Sequence, residues 1–159
     1  MRTKFAIVLI LLFLNRSLLL SRFNPRFHKR VSKKQLVGFV KEAKAFIRIY
    51  GISMAVSEFQ NKKGLFFRGS LFIYAFDYKG KVLAHGRYPN MRNLNLYQKV
   101  DFRGHFYIQE QIKMVEFQKK GFIEYKVMNF KVNRVETRLA YVEKVNKKIW
   151  IGASILIKK

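Results

Sequence analysis

The sequence runs to 159 residues, 50% of them hydrophobic and 16% aromatic, with sixteen Phe and eight Tyr against two Pro. That length sets one compact domain as the expectation, and so much apolar surface excludes a disordered or Pro/Gly-rich low-complexity chain. Lys and Arg number 33 against nine Asp and Glu, a net charge of +24 that favours polyanions or an anionic membrane surface as incidental partners; there is no Cys, which excludes disulfides, thiolate metal sites and cysteine nucleophiles.

Met1-Arg-Thr-Lys4 is a cationic start, followed by ten apolar residues from Phe5 to Leu14 before Asn15-Arg16 interrupts and Leu18-Leu19-Leu20 resumes. Ten residues span about 15 Å as a helix, half of the ~30 Å hydrocarbon core, so residues 1–21 read first as a secretory signal peptide and second as an uncleaved membrane anchor. Six Lys or Arg from Arg22 to Lys34, with no acid before Glu42, argue against export, because positive residues tend to stay inside. Residues 22–32 read as a solvated basic linker. Residues 1–34 carry +9 and the rest of the chain +15, so the folded part is basic too.

From Ser32 to Phe59 apolar residues recur at helical spacing: Leu36, Phe39/Val40, Ala43, Phe46/Ile47, Tyr50 and Met54. This predicts one long amphipathic helix with Ser32 as its N-cap, a weak point at Gly51 and an exit at Asn61–Gly64. Leu71–Phe76 and Lys81–His85 flank the turn signal Asp77-Tyr-Lys-Gly80 and read as a β-hairpin. Residues 86–103 read as a loop with room for a short helical turn. A second helix is expected over Phe106–Phe117, and strands over Phe122–Val127, Val135–Val145 and Ile149–Ile157. Meandering strands with helices segregated between them imply an α+β fold on an antiparallel sheet, with residues 33–159 as its single domain.

The stretch Gly64-Leu-Phe-Phe and Leu71-Phe-Ile-Tyr-Ala-Phe-Asp77-Tyr-Lys-Gly80-Lys-Val-Leu-Ala-His85 closely resembles the single Cache (sCache) sensor domain, in which an aromatic strand ends in Asp before a Gly turn and Leu-Ala-His-Pro. Asn93-Leu-Asn-Leu-Tyr97, Asp101-Phe-Arg-Gly104, Lys120-Gly-Phe-Ile-Glu-Tyr125, Thr137-Arg-Leu-Ala-Tyr-Val142 and Ile151-Gly-Ala-Ser-Ile155 resemble further segments of that family in order. The resemblance covers roughly residues 33–157. It implies a PAS-like fold, a long N-terminal helix across a five-stranded antiparallel sheet, placed outside the cytoplasmic membrane and binding small organic molecules, often carboxylates. Two positions depart from the family pattern: Gly86 stands where the Pro is expected, and Arg138 where the family has Lys.

Four residues are candidates to line such a site. Arg138, mid-strand, offers a carboxylate two parallel N–H bonds. His85, at a strand end, offers a donor to an oxyanion or a keto oxygen. Alternation puts Phe72, Tyr74 and Phe76 on one strand face, so Tyr74 can lend a hydroxyl. Tyr107 is placed to close over a ligand. Each has a plainer reading as core or surface, and Trp150 reads as core. Arg138→Ala is expected to remove a ligand response while leaving the melting point of the free protein nearly unchanged.

Nothing nominates an enzyme: no Gly-x-Ser-x-Gly elbow, Gly-rich phosphate loop or His-Glu-x-x-His occurs, and no cofactor is expected. The three His, at 28, 85 and 105, are too scattered for a metal cage. The chain ends at Lys159 with no output module after the last strand, so any signal is expected to pass through a downstream signalling or transport partner. Two readings stand: a periplasmic or otherwise extracytoplasmic, secreted or anchored, domain that binds a small carboxylate, or a polyanion-binding module that holds nucleic acid through its positive charge and aromatic rings.

Overall fold

The computed structural model describes residues 31–129 and 132–158, the side chain of Lys158 excepted. The leader or anchor expected over residues 1–21, and all of the basic linker but its last two residues, lie outside the described residues.

Helix α1 spans Lys33–Gln60. It starts where the sequence places it: the Ser32 hydroxyl accepts the Gln35 N–H, and the Gln35 side chain accepts the Ser32 N–H in return, a reciprocal capping box. Gly51, at φ 81°, is non-helical and breaks the helix into two pieces. The break also re-aims the apolar stripe. Leu36, Phe39, Val40, Ala43 and Ile47 are buried as predicted, but Tyr50 and Met54 are exposed at 41% and 57%, and Ala55, Val56 and Phe59 take over beyond the kink.

The strands are β1 (Phe67–Arg68), β2 (Leu71–Phe72), β3 (Tyr74–Phe76), β4 (Val82–His85), β5 (Lys120–Asn129), β6 (Arg134–Lys144) and β7 (Trp150–Lys158). The last five form one antiparallel sheet in the order β4-β3-β7-β6-β5, while β1 and β2 make a separate two-stranded ribbon. The predicted hairpin arm 71–76 is therefore interrupted at Ile73, with only its second half in the main sheet. In the turn that follows, Asp77 accepts the N–H groups of Lys79 and Lys81, and Gly80 takes φ 80° against Tyr97 with no room for a Cβ. A 3₁₀ turn, Pro89–Met91, lies in the loop before helix α2 (Tyr107–Phe117).

The sheet separates two cores. On one face α1 packs Leu36, Phe39, Val40 and Phe59 against Ile73, Leu139, Tyr141, Ile151 and Ile155, and Lys44 bonds Glu143 on β6 at 2.8 Å. On the other face α2 packs Ile108, Ile112 and Val115 against Phe72, Tyr74, Phe76, Ala140, Val142 and Trp150. The period-2 alternation of β6 and β7 produces this division directly. Trp150 is core as expected, stacked on Phe76 with ring centres 5.0 Å apart and its Nε1–H donating to the Asp77 carbonyl.

Candidate functional site

The α2 face is not filled. A cavity of about 170 Å³ lies between the sheet, α2 and the loop after β4, and Tyr74, His85, Tyr107 and Arg138 all line it, together with Arg87, Gln111, Tyr125, Glu136 and Ser154. The sequence thus names four side chains from β3, β4, α2 and β6 that the fold brings to one space.

Arg138 sits on the cavity face of β6, opposite Tyr125 on β5 and reaching diagonally to Ser154 on β7, which pairs with Ala140. Its Nε donates to Ser154 Oγ at 3.0 Å, Nη2 to the Ser154 carbonyl at 3.2 Å and Nη1 to Glu136 Oε2 at 3.1 Å. The Arg138 and Glu136 side chains are only 15% and 13% exposed. Three of the guanidinium's five N–H donors are engaged in this way, and two have no acceptor among the described residues. The hydrogen bonds from Arg138 and from Asn129 also satisfy both oxygens of Glu136. Tyr125 donates to the same Ser154 hydroxyl, so Ser154 is the hinge of a buried network joining β5, β6 and β7.

His85 is fixed from behind. Its Nδ1 accepts the Tyr88 N–H at 3.1 Å, so the ring proton of the neutral imidazole sits on Nε2. Phe72, Tyr74 and Tyr88 rings surround it. Burial, helped by the positive charges of Arg87 and Arg138, pulls its pKa down to about 4. The folded protein therefore resists a proton that the unfolded chain accepts near pH 6.5. Stability should fall as pH drops from 6.5 towards 4, and His85→Gln should flatten the melting-temperature profile across that window in matched thermal melts. An unchanged profile would place the His85 ring in water.

Tyr74 donates its hydroxyl to Gln111 Oε1 at 3.0 Å, and burial raises its pKa well above the usual phenol value. The Tyr107 ring stacks on Tyr125 with centres 4.9 Å apart, and burial raises its pKa as well. Both are neutral donors over the whole physiological range. The Gly86 departure has a physical setting: its N–H donates to the Ile73 carbonyl, and an added Cβ would stand 2.9 Å from the Phe72 Cβ. Below the cavity, the Asp101 carboxylate accepts the backbone N–H groups of Arg103, His105 and Lys126, and Arg103 Nε; it fastens the long loop to β5. Burial alone would raise its pKa, but these donors outweigh burial and lower it.

Gln111, Ser154, Glu136 and Arg87 went unnamed in the sequence reading. Two had a signal: Glu136 lies two residues from Arg138 on the same strand face, and Gln111 is a polar residue inside the apolar stripe of α2. Ser154 depends on the β6–β7 register, and Arg87 follows the strand into a loop. The strand aromatics Phe72, Tyr74 and Phe76 are buried and so do not form an open stacking platform. Among the described residues no helix is long and apolar enough to cross a membrane.

Residues 34–154 match the family described as Single Cache domain 2. No curated protein matches the chain. Solved structures share the fold at low identity. A methyl-accepting chemotaxis protein from Vibrio parahaemolyticus aligns at 20% identity and TM-score 0.67, over 79% of this chain and 88% of that one. A periplasmic sensor domain of a chemotaxis protein aligns at 17% and 0.61, over 79% and 90%. A structure described as showing carboxylic acid recognition by a Cache chemosensory domain aligns at 14% and 0.60, over 79% and 88%.

Proposed function

The chain belongs to the single Cache domain 2 family, and from that premise we propose that it is an extracytoplasmic sensor domain that binds a small organic carboxylate, without catalysis, in the cavity beneath α2. The observation that carries the reading is Arg138: a largely buried guanidinium on the cavity wall with two N–H donors still available. Its charge is only partly offset. Arg87 and Arg138 face Glu136 alone among the charged lining residues, with His85 neutral, which leaves one net positive charge for an anion. Size supports the same class. A dry cavity of ~150 Å³ holds a benzene ring, so this space suits a ligand of about six to eight non-hydrogen atoms. One of the similar structures is described as recognising carboxylic acids and another as periplasmic, which favours this ligand class and this placement. A binding domain acts through whatever reads its state, and a downstream signalling or transport protein is the partner in this reading.

The test is a thermal-shift series on the full chain with acetate, propionate, lactate, pyruvate and succinate. At a thousand times its dissociation constant a true ligand adds ~4 kcal/mol of stability. At least one of these acids is expected to raise the melting temperature in a saturable way. No response to any of them, together with RNA binding that weakens steeply with salt, would replace the carboxylate reading by the polyanion one.

A further inference from the structure

We propose that the side-chain amide of Gln111 reads a second acceptor oxygen on the bound acid, so that the cavity prefers carboxylates bearing an oxo or hydroxyl group next to the carboxylate over unsubstituted ones of equal length. The inference rests on the carboxylate reading above and adds to it a residue and a selectivity.

Gln111 lies on α2 among Ile108, Ile112 and Val115 and is 1% exposed, yet it is one of the residues that line the cavity. Its two ends are in different situations. Oε1 accepts the Tyr74 hydroxyl, which fixes the orientation of the amide. Nε2 has no acceptor among the described residues, although its two N–H groups need one when removed from water. It is not sealed in the core, because among the described residues the one fully enclosed side-chain atom without a partner is Gln60 Oε1. The open side of Nε2 is therefore the cavity. An amide N–H pair held rigidly by a neighbouring tyrosine is a neutral donor, which suits a carbonyl or hydroxyl oxygen.

The rest of the lining agrees. Available donors include the two remaining N–H groups of Arg138, Nε2–H of His85, the Tyr107 hydroxyl and the Gln111 amide, besides the free N–H groups of Arg87, while the Glu136 carboxylate is already bonded by Arg138 and Asn129. Donors outnumber acceptors. A carboxylate supplies two oxygens for the guanidinium and the imidazole, and a third oxygen on the adjacent carbon leaves no orphan at Gln111.

The experiment is calorimetric titration of the full chain with propionate, lactate and pyruvate, which share three carbons and differ in the second oxygen. Lactate or pyruvate is expected to bind about tenfold tighter than propionate, the worth of one well-placed hydrogen bond. Gln111→Met, similar in length but without donors, should bring the three acids to one affinity. Equal binding of the three acids by the unaltered chain overturns this inference and leaves the carboxylate reading intact. Binding of none of the three overturns this inference, and the carboxylate reading falls with it when acetate and succinate fail as well. The comparison within the unaltered chain stands even if Gln111→Met fails to fold.

Discussion

Arg138→Ala should abolish the response to carboxylates and also lower the melting temperature of the free protein. The first effect follows from the loss of two charge-assisted bonds, each contributing about 1.5–3 kcal/mol, so affinity should drop at least a hundredfold. The second was not visible in the sequence, where a strand Arg in so basic a chain reads as one more surface cation. In the structure its removal leaves the largely buried Glu136 carboxylate without its counter-charge and strips two donors from Ser154. Breaking one side of a buried ion pair costs about 3–5 kcal/mol, and the partial exposure of this one places it at the lower end. Glu136→Gln added to Arg138→Ala should recover much of that loss, since Gln still accepts from Asn129 without an unpaired charge, but it should not recover binding. Thermal melts with and without ligand separate the two effects. A single variant that still responds to acids would put the anion site elsewhere.

Gly152→Ala should be the most damaging single-methyl addition at the site. Gly152 is directly opposite Tyr74 across β3 and β7, and a Cβ on it would stand 2.6 Å from Tyr74 Cε2 and 2.7 Å from Cζ and the hydroxyl. Such contacts do not occur, so the ring or the strand must move. The ring is pinned by Gln111, and the strand lies in the middle of the sheet. Overpacking of this kind costs about 1–3 kcal/mol, and displacing Tyr74 pushes its ring into the cavity. The expected result is a lower melting temperature with loss of ligand response, read by thermal shift. Tyr74→Val in the same chain should restore part of the stability but not the binding, because the empty ring space removes the clash and the Gln111 support together. A Gly152→Ala protein with unaltered melting and binding would show that Tyr74 is not fixed.

Much of this architecture was legible before any coordinates. Strand alternation alone separated Tyr74 and Phe76 from Ile73 and Ala75, and Ser32 as N-cap marked the start of α1; its reciprocal partner Gln35 emerged only in the structure. The four predicted lining residues converge because each sits where local pattern is strong: three on or ending strands, one at a helix start. What escaped prediction is what depends on long-range register. Ser154 meets Arg138 only through the β6–β7 pairing, which shifts between Thr137 and Arg138. The Gly51 break re-aimed the apolar stripe, so Tyr50 and Met54 took the solvent side although their spacing suited the core. Glu136 was within reach of the same alternation argument but reads, in isolation, as one more surface acid.

The sheet is a single ply with a lined hollow on one side and a helix seated on the other. Along β6, Arg138 lines the hollow and Ala140 belongs to the core on that same face, while Leu139 and Tyr141 are the bedding of α1. Neighbouring residues of one backbone thus answer to both compartments, and close-packed interiors transmit small displacements rather than absorb them. Under the binding proposed here, an occupant that drew the guanidinium inward would pull on the same ribbon on which the long helix rests, and filling the hollow would be felt on the far side of the sheet.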